Sequence, residues 1–178
     1  MDMNALATKL TYGLHVISVQ DQANDRPGGF IIDAVCQLSM DVPPTIVFSV
    51  MNKNYSKDLI KTEGVFNLSI LSESVDPFVI ANFGFQSSKD ISKWENVPYT
   101  LRAGLPVLDE AVSWGQFRVT DIREMGTHTA FFTVPTESEY LNGELIPLRY
   151  ADYFTKLKEP AFAALKAFQE KALGKGQA

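Results

Sequence analysis

The chain has 178 residues, of which 46% are hydrophobic and 21% charged, a composition typical of one globular domain. Its net charge of −5 and the absence of a long basic run argue against general nucleic-acid binding, which needs clustered lysine and arginine. No apolar run approaches the roughly 18 residues of a membrane span, and no signal peptide is evident, so we expect a cytoplasmic protein without a membrane anchor. Cys36 is the only cysteine, which excludes an internal disulfide and a CxxC metal site within this chain.

Short strands joined by turns dominate the first part of the chain. The periodicity predicts a short helix over about 4–10, strands over 14–19, 30–35, 45–51 and 65–70, and a turn over 25–29. A helix over about 55–63 separates the last two of these strands, and Gly64 is predicted to end it in a left-handed conformation.

The second part begins with a helix, since Asp76 is a suitable N-cap and Pro77 a suitable first residue. We expect this helix to end at Gly84 and a polar loop to cover 85–98. Three β-like segments follow, near 106–109, 112–124 and 127–140. The tail over 151–172 is predicted to be helical and interrupted at Pro160, with an apolar stripe of Phe162, Leu165, Phe168 and Leu173.

This element order predicts a mainly β fold with flanking helices. Strands outnumber helices and are joined chiefly by hairpins, which favours an antiparallel barrel or sandwich over a doubly wound sheet. No GxGxxG turn is present, so a Rossmann-type dinucleotide site is not expected. We expect one domain over 1–178, with a C-terminal helical extension from about 151.

A polar segment separates the strand over 45–51 from the helix that follows. It consists of Asn52, Lys53, Asn54, Tyr55 and Ser56. A helix N-terminus offers unpaired N–H groups and partial positive charge, so these residues are suited to hold a small phosphate group. The alternative is that Asn54 or Ser56 only caps the helix and Lys53 is solvated.

Three other places carry polar or reactive side chains. Gln37 and Ser39 end a strand, where they can face the edge of a ligand ring or act as ordinary turn residues. Cys36 is interpreted as a small core residue rather than a nucleophile. His15 and His128 are far apart and lack carboxylate neighbours at ligand spacing, so no metal site is expected.

Five stretches together resemble the flavin reductase-like family, over about 4–153. They are GFIIDAVCQLS, PPTIVFSVMNKNYSKDLI, GVFNLSILSE, FGFQSSKD and GTHTAFF. This family of FMN-binding split barrels includes flavoredoxins and the flavin domains of clostridial rubredoxin fusions. The resemblance implies an antiparallel, Greek-key-like split β-barrel that binds FMN.

The resemblance also implies roles for individual residues. The polar segment would hold the FMN phosphate, and the loop that starts at Phe83 would lie near the flavin face. His128 would contact the ring or shape a nicotinamide pocket, although a hydrogen-bonded strand histidine is the alternative. Backbone and side-chain groups would face the isoalloxazine ring from Ala34, Val35, Cys36, Gln37, Leu38 and Ser39.

Two places depart from the family pattern. Asp33 stands where an asparagine is usual, and a carboxylate accepts hydrogen bonds but does not donate them when ionised. Thr133-Val134-Pro135 replaces a usual glycine-containing run, and Pro135 predicts an edge or a bulge.

For function, the resemblance implies an oxidoreductase, an NAD(P)H-dependent flavin reductase that works as a homodimer with flavin at the subunit interface. The alternative is a flavoredoxin-like electron carrier reduced by a redox protein partner, and a flavin-free barrel used only for interactions is a third possibility.

Overall fold

The computed structural model of the chain describes residues 9–175, so the helix predicted over about 4–10 lies almost entirely outside the described residues. The strands are β1 (His15–Asp21), β2 (Arg26–Ile32), β3 (Val35–Gln37), β4 (Ile46–Met51), β5 (Val65–Ile70), β6 (Tyr99–Arg102), β7 (Leu105–Leu108), β8 (Ser113–Met125) and β9 (His128–Tyr140). The helices are α1 (Tyr55–Glu63), α2 (Pro77–Phe85), α3 (Tyr150–Asp152) and α4 (Lys158–Lys175). A 3₁₀ turn (Trp94–Asn96) precedes β6, and a π-helical turn (Tyr153–Leu157) joins α3 to α4.

Seven strands form one antiparallel sheet in the order β2-β1-β5-β8-β9-β4-β3, and β6 and β7 form a separate hairpin. The sheet curls around one of two apolar clusters, in which side chains from both of its ends meet, and the other cluster lies beneath α2 and α4. Phe48 of β4 packs edge-on against Phe66 of β5, with ring centroids 5.1 Å apart, and Phe30 of β2 lies in the same cluster. The predicted mainly β, antiparallel architecture is therefore confirmed.

The capping residues in the sequence predicted the two ends of α1 correctly. The Asn54 side chain accepts a 2.9 Å hydrogen bond from the Ser56 backbone N–H, and Gly64 ends the helix at φ 67°. Only a glycine adopts that left-handed conformation without strain. The predicted bulge is also present, since the β8–β9 register shifts where Pro135 faces Phe117.

Other boundaries differ from the prediction. Pro27, Gly28 and Gly29 belong to strand β2 instead of a turn, and Pro27 is tolerated because β2 is an edge strand. Helix α2 runs through Gly84 to Phe85, and strand β6 was not predicted. Pro160 lies near the start of α4, directly after the π-helical turn, so the predicted interruption of the regular α-helix is found just before this proline.

The apolar stripe of the C-terminal helix packs inside the chain. Phe162 lies against Phe85, with ring centroids 4.6 Å apart, and Phe168 lies against Phe78 at 4.9 Å. Both contacts join α4 to α2. Phe162 and Phe168 of the stripe therefore pack against the parent chain, and the side chain of Leu173 lies outside the described residues.

Candidate functional site

A cavity of about 380 Å³ opens where the start of α1, the end of α2 and strand β2 meet. It includes most of the predicted polar segment and the loop that starts at Phe83. Two of the lining residues are lysines and none is an aspartate or glutamate, although the whole chain carries a net charge of −5. The residues that line it are Phe30, Ile31, Met51, Lys53, Asn54, Tyr55, Ser56, Phe83, Gly84, Phe85, Gln86, Ser87, Ser88 and Lys93.

Gly28 and Gly29 allow the walls of this cavity to approach strand β2. A Cβ atom on Gly28 would lie 2.9 Å from Leu59 Cδ1 of α1, and one on Gly29 would lie 2.8 Å from Phe83 Cε1 of α2. The Ser88 hydroxyl fixes the loop after α2 to the same strand, because it accepts from the Gly29 N–H at 2.9 Å and donates to the Gly29 carbonyl at 2.8 Å. These glycines are needed for close packing, and no turn requires them.

Some residues of the polar segment stabilise the fold, and others line the cavity. Asn54 caps α1 and also lines the cavity. The Tyr55 hydroxyl donates a 2.8 Å hydrogen bond to Asp21 Oδ2, which leaves its ring as a wall of the cavity. Ser56 is buried and Lys53 is exposed, and both line the cavity, so these two residues remain candidates for holding an anion.

Asn52 joins the polar segment to the β8–β9 hairpin. Its side-chain Nδ2 donates to the Gly126 carbonyl at 2.7 Å, its Oδ1 accepts from the Thr129 hydroxyl at 2.8 Å, and its backbone N–H donates to the Thr127 carbonyl at 3.0 Å. Because all these contacts are internal, Asn52 is a positioning residue for the hairpin in this structure.

His128 stands at the start of β9 on that hairpin. It faces Met51 of β4, which lines the cavity, but His128 itself is not among the lining residues. Its Nδ1 lies 2.9 Å from the Thr127 hydroxyl. The structure thus places His128 beside the cavity, held by a local hydrogen bond, and its contact with a flavin stays a prediction.

The segment Ala34–Ser39 does not line the cavity within one chain. Gln37 Nε2 donates to the Ser39 carbonyl at 2.8 Å, and the Ser39 hydroxyl accepts from the Thr45 N–H at 2.9 Å, so both side chains serve the turn after β3. Cys36 is exposed because β3 is an edge strand, and its interpretation as a core residue is wrong. The neighbouring Leu38 is also exposed.

Burial and hydrogen bonding act in opposite directions on the pKa of the Asp21 carboxyl. Asp21 is fully buried, which by itself raises its pKa. Hydrogen bonds from Asn24 and Tyr55 outweigh that effect and hold the pKa below its usual value. The bond to this carboxylate in turn raises the pKa of Tyr55. The pair is therefore an ionised carboxylate with a neutral phenol, fixed beneath α1.

Lys93 is the charged lining residue that sequence reasoning missed. It lies in a loop without periodicity. The only sequence feature that could have indicated its burial was its position directly before Trp94. Its side chain is 2% exposed, and its Nζ donates a 3.0 Å hydrogen bond to the Phe83 carbonyl. Burial lowers the pKa of Lys93 to about 7.

The remaining candidates lie outside the cavity. Lys89 is exposed, and Asp33 lies between β2 and β3, where its carbonyl accepts from the Val35 N–H. His15 has a buried Nδ1 without a partner, and burial lowers the pKa of this histidine to about 4, in keeping with a structural role. Within residues 9–175 no group of histidine, cysteine and carboxylate side chains is suited to a metal ion, and no helix is long and apolar enough to cross a membrane.

Comparison with known proteins gives consistent results. The model of the flavin reductase like domain matches residues 7–153. The chain is 35% identical over 156 residues to the high molecular weight rubredoxin of Moorella thermoacetica, which covers 86% of this chain and 66% of that protein. It is 31% identical over 155 residues to the ferric-chelate reductase (NAD(P)H) of Archaeoglobus fulgidus, covering 86% of this chain and 89% of the relative.

Among solved structures, the FMN-binding protein from Thermus thermophilus aligns with a TM-score of 0.69 at 17% identity, over 80% of this chain and 78% of that one. This match supports the split-barrel fold. The family match and the two relatives establish that the chain belongs to the flavin reductase-like domain family, a family of flavin-binding oxidoreductases. Because it spans only 66% of the rubredoxin relative, the activity of that whole protein is not assigned to it.

Proposed function

We propose that this member of the flavin reductase-like family binds FMN non-covalently in the cavity between α1 and α2 and uses it as an NAD(P)H-dependent flavin reductase. The observation that carries the proposal is the charge of the cavity lining, which has two lysines and no carboxylate in an acidic chain. Such a site favours a ligand with a phosphate group over a neutral one.

The shape and lining of the cavity fit a phosphorylated flavin. Its volume of about 380 Å³ falls within the range of small-molecule sites, about 300–1,000 Å³. Phe30, Tyr55 and Phe83 provide flat apolar surface for a planar ring, while Lys53 and Ser56 provide a charge and a hydroxyl for a phosphate. The structural similarity to an FMN-binding protein supports FMN as the flavin.

FMN, when bound, supplies the hydride and electron chemistry, so the chain needs no nucleophile or acid pair of its own. The described residues bind and orient. Lys53 and Ser56 hold the anionic end, and the aromatic side chains exclude water from the ring. Asn52 fixes the hairpin that brings His128 beside Met51, at the edge where a nicotinamide would approach.

A second copy of the chain would complete the site. The loop after β3 exposes three apolar side chains, Leu38 at 53%, Met40 at 89% and Val42 at 99%, and it overlaps the Ala34–Ser39 segment, which does not reach the cavity of its own chain. Exposed apolar clusters of this kind mark interaction surfaces. The proposal includes a two-fold homodimer in which each flavin is lined by both chains, because two-fold pairing is the commonest solution for soluble oligomers.

The similarity to a ferric-chelate reductase that uses NAD(P)H supports nicotinamide as the reductant. The test is to purify the protein, identify any yellow cofactor released on heating, and measure NADH and NADPH oxidation with FMN present. FMN release together with nicotinamide oxidation supports the proposal. Purified protein that neither contains FMN nor binds it when it is added would refute it.

The second candidate is an electron carrier reduced by an iron protein. One observation favours it: the chain is similar to a protein named as a rubredoxin, of which it spans only 66%. In that case FMN would be present but would stay oxidised with either nicotinamide, and a reduced rubredoxin-type protein would reduce it.

A further inference from the structure

Lys93 is a buried amino group at the wall of the cavity, and its acceptor is a backbone carbonyl in the last turn of α2. Its side chain is 2% exposed, and the Phe83 carbonyl, 3.0 Å from Nζ, is its hydrogen-bond acceptor. The Phe83 ring lies 5.8 Å from the same nitrogen. Within residues 9–175, the ion pairs formed by lysine and arginine do not include Lys93.

This arrangement is costly if Lys93 serves only the fold. A buried charge without a partner is strongly disfavoured, and a neutral amine makes the same bond to the Phe83 carbonyl. Burial lowers the pKa of Lys93 from the usual 10.5 to about 7, so near neutral pH a large share of the molecules carry the neutral amine. An anion entering the cavity would restore the charged form.

Burial is the cause of the lowered pKa of Lys93, and the titratable groups near it come from several elements. The polar segment contributes Lys53 to the lining, and Tyr55 of α1 is neutral with its hydroxyl on Asp21. Helix α2 has no titratable side chain. From β2, Arg26 donates to the carbonyls of Ser88 and Lys89, and the loop between α2 and the 3₁₀ turn carries exposed Lys89 and Asp90.

We propose that Lys93 makes this cavity select phosphorylated over unphosphorylated flavin, because its amine takes up a proton from solvent when the ligand's phosphate dianion binds and then pairs with it. This inference rests on the proposed flavin-binding function. It identifies Lys93 as a specificity residue in the cavity, in addition to the lysine of the polar segment. No bond of the flavin changes in this step, since one proton moves from solvent to Nζ.

The test compares FMN with riboflavin, which has the same ring and lacks the phosphate. Affinities are measured by flavin fluorescence quenching for the wild type, Lys93→Met and the control Lys89→Met, an exposed lysine of the same loop. We expect Lys93→Met to weaken FMN binding by about tenfold or more, the loss expected for one charge-assisted hydrogen bond, and to leave riboflavin binding unchanged. Lys89→Met should change neither affinity.

The pH dependence gives a second signature. A phosphate monoester is a dianion above about pH 7, so between pH 7.5 and 8.5 the wild type should lose up to about tenfold in FMN affinity, as expected for uptake of one proton. Lys93→Met should lose this dependence, and riboflavin binding should show none of it. Calorimetry in two buffers of different ionisation enthalpy counts the proton taken up.

The outcomes separate the two proposals. If FMN and riboflavin bind the wild type equally, or if Lys93→Met weakens both to the same extent, the inference on Lys93 is wrong and the flavin site stands. If neither flavin binds the folded wild type, the proposed function itself fails. Should Lys93→Met not fold, Lys93→Arg replaces it, because arginine stays charged and must keep the FMN preference while losing the pH dependence. An unchanged pH dependence in Lys93→Arg would overturn the inference.

Discussion

The Tyr55 hydroxyl donates a 2.8 Å hydrogen bond to Oδ2 of the buried Asp21 carboxylate, and this bond links the start of α1 to the end of β1. Tyr55→Phe removes the donor but keeps the ring that lines the cavity. We expect a loss of about 1–3 kcal/mol in the free energy of unfolding, since a buried carboxylate loses one of its partners, and little change in flavin affinity. Urea denaturation and a flavin titration of the same variant provide the two values.

The Asp21–Tyr55 pair predicts how the free energy of unfolding changes at acidic pH. Hydrogen bonds hold the pKa of Asp21 below the usual 3.8, so the stabilisation is fully present above that value and is lost as the pH falls through the lower folded pKa. Tyr55→Phe should therefore differ from the wild type most at neutral pH and least in strong acid. A difference in unfolding free energy that grows as the pH falls below 4 would contradict this account of Asp21.

His128→Ala tests the catalytic role implied by family membership. The residue lies beside Met51 on a hairpin held by Asn52, and its local hydrogen bond joins it only to its neighbour Thr127. We expect the rate of flavin reduction by nicotinamide to fall by about tenfold or more, as for loss of one positioned polar group, while the melting temperature changes little. The matched control is Thr127→Val, which removes the hydroxyl near His128 and leaves the ring. A large drop in melting temperature with a normal rate would make His128 a structural residue.

Lys53→Ala combined with Ser56→Ala tests the anion-binding role of the polar segment. These two residues line the cavity, whereas Asn52, Asn54 and Tyr55 have hydrogen-bond partners within the chain. The double variant should bind FMN more weakly by about 1.5–3 kcal/mol for each charge-assisted bond that is lost. Lys57→Ala, on the same helix and paired with Asp58, is the control. An FMN affinity equal to that of the wild type would remove the polar segment from the site.

Lys93→Met should raise stability when no flavin is present. The folded pKa of Lys93 is about 7 and the unfolded value 10.5, so the unfolded chain binds more protons between these values and the wild type gains stability as the pH rises. The gain from this group is at most about 1.4 kcal/mol per pH unit. The melting temperature of Lys93→Met should therefore exceed that of the wild type most below about pH 7, with the difference shrinking towards pH 10. A variant that is less stable than the wild type at pH 6 would show that the ammonium has a structural partner.

The sequence allowed the local parts of this structure to be predicted. Asn54 and Gly64 delimit α1 through capping chemistry within a few residues, and Pro135 marks a bulge because it lacks an N–H group. Gly28 and Gly29 were assigned to a turn, because their use in close packing against Leu59 and Phe83 depends on residues far along the chain.

The site was predicted only in part for the same reason. Most of the polar segment lines the cavity, yet the partners of Asn52 and Tyr55 come from the β8–β9 hairpin and from Asp21, which no local pattern indicates. Lys93 lies in a polar, aperiodic loop, and its burial depends on how α2 and the 3₁₀ turn pack on β2. A residue whose place in the cavity wall depends on tertiary packing could therefore not be predicted from residue spacing.

FMN bound in the cavity should be reduced there by a nicotinamide. Anaerobic stopped-flow mixing of the FMN-loaded protein with NADH and, separately, with NADPH tests this, following the visible absorbance of the flavin. At least one nicotinamide should bleach the flavin in a single turnover, and His128→Ala should slow this bleaching. Flavin that stays oxidised with both nicotinamides, although dithionite bleaches it in the same sample, would show that the protein is not a nicotinamide-dependent reductase.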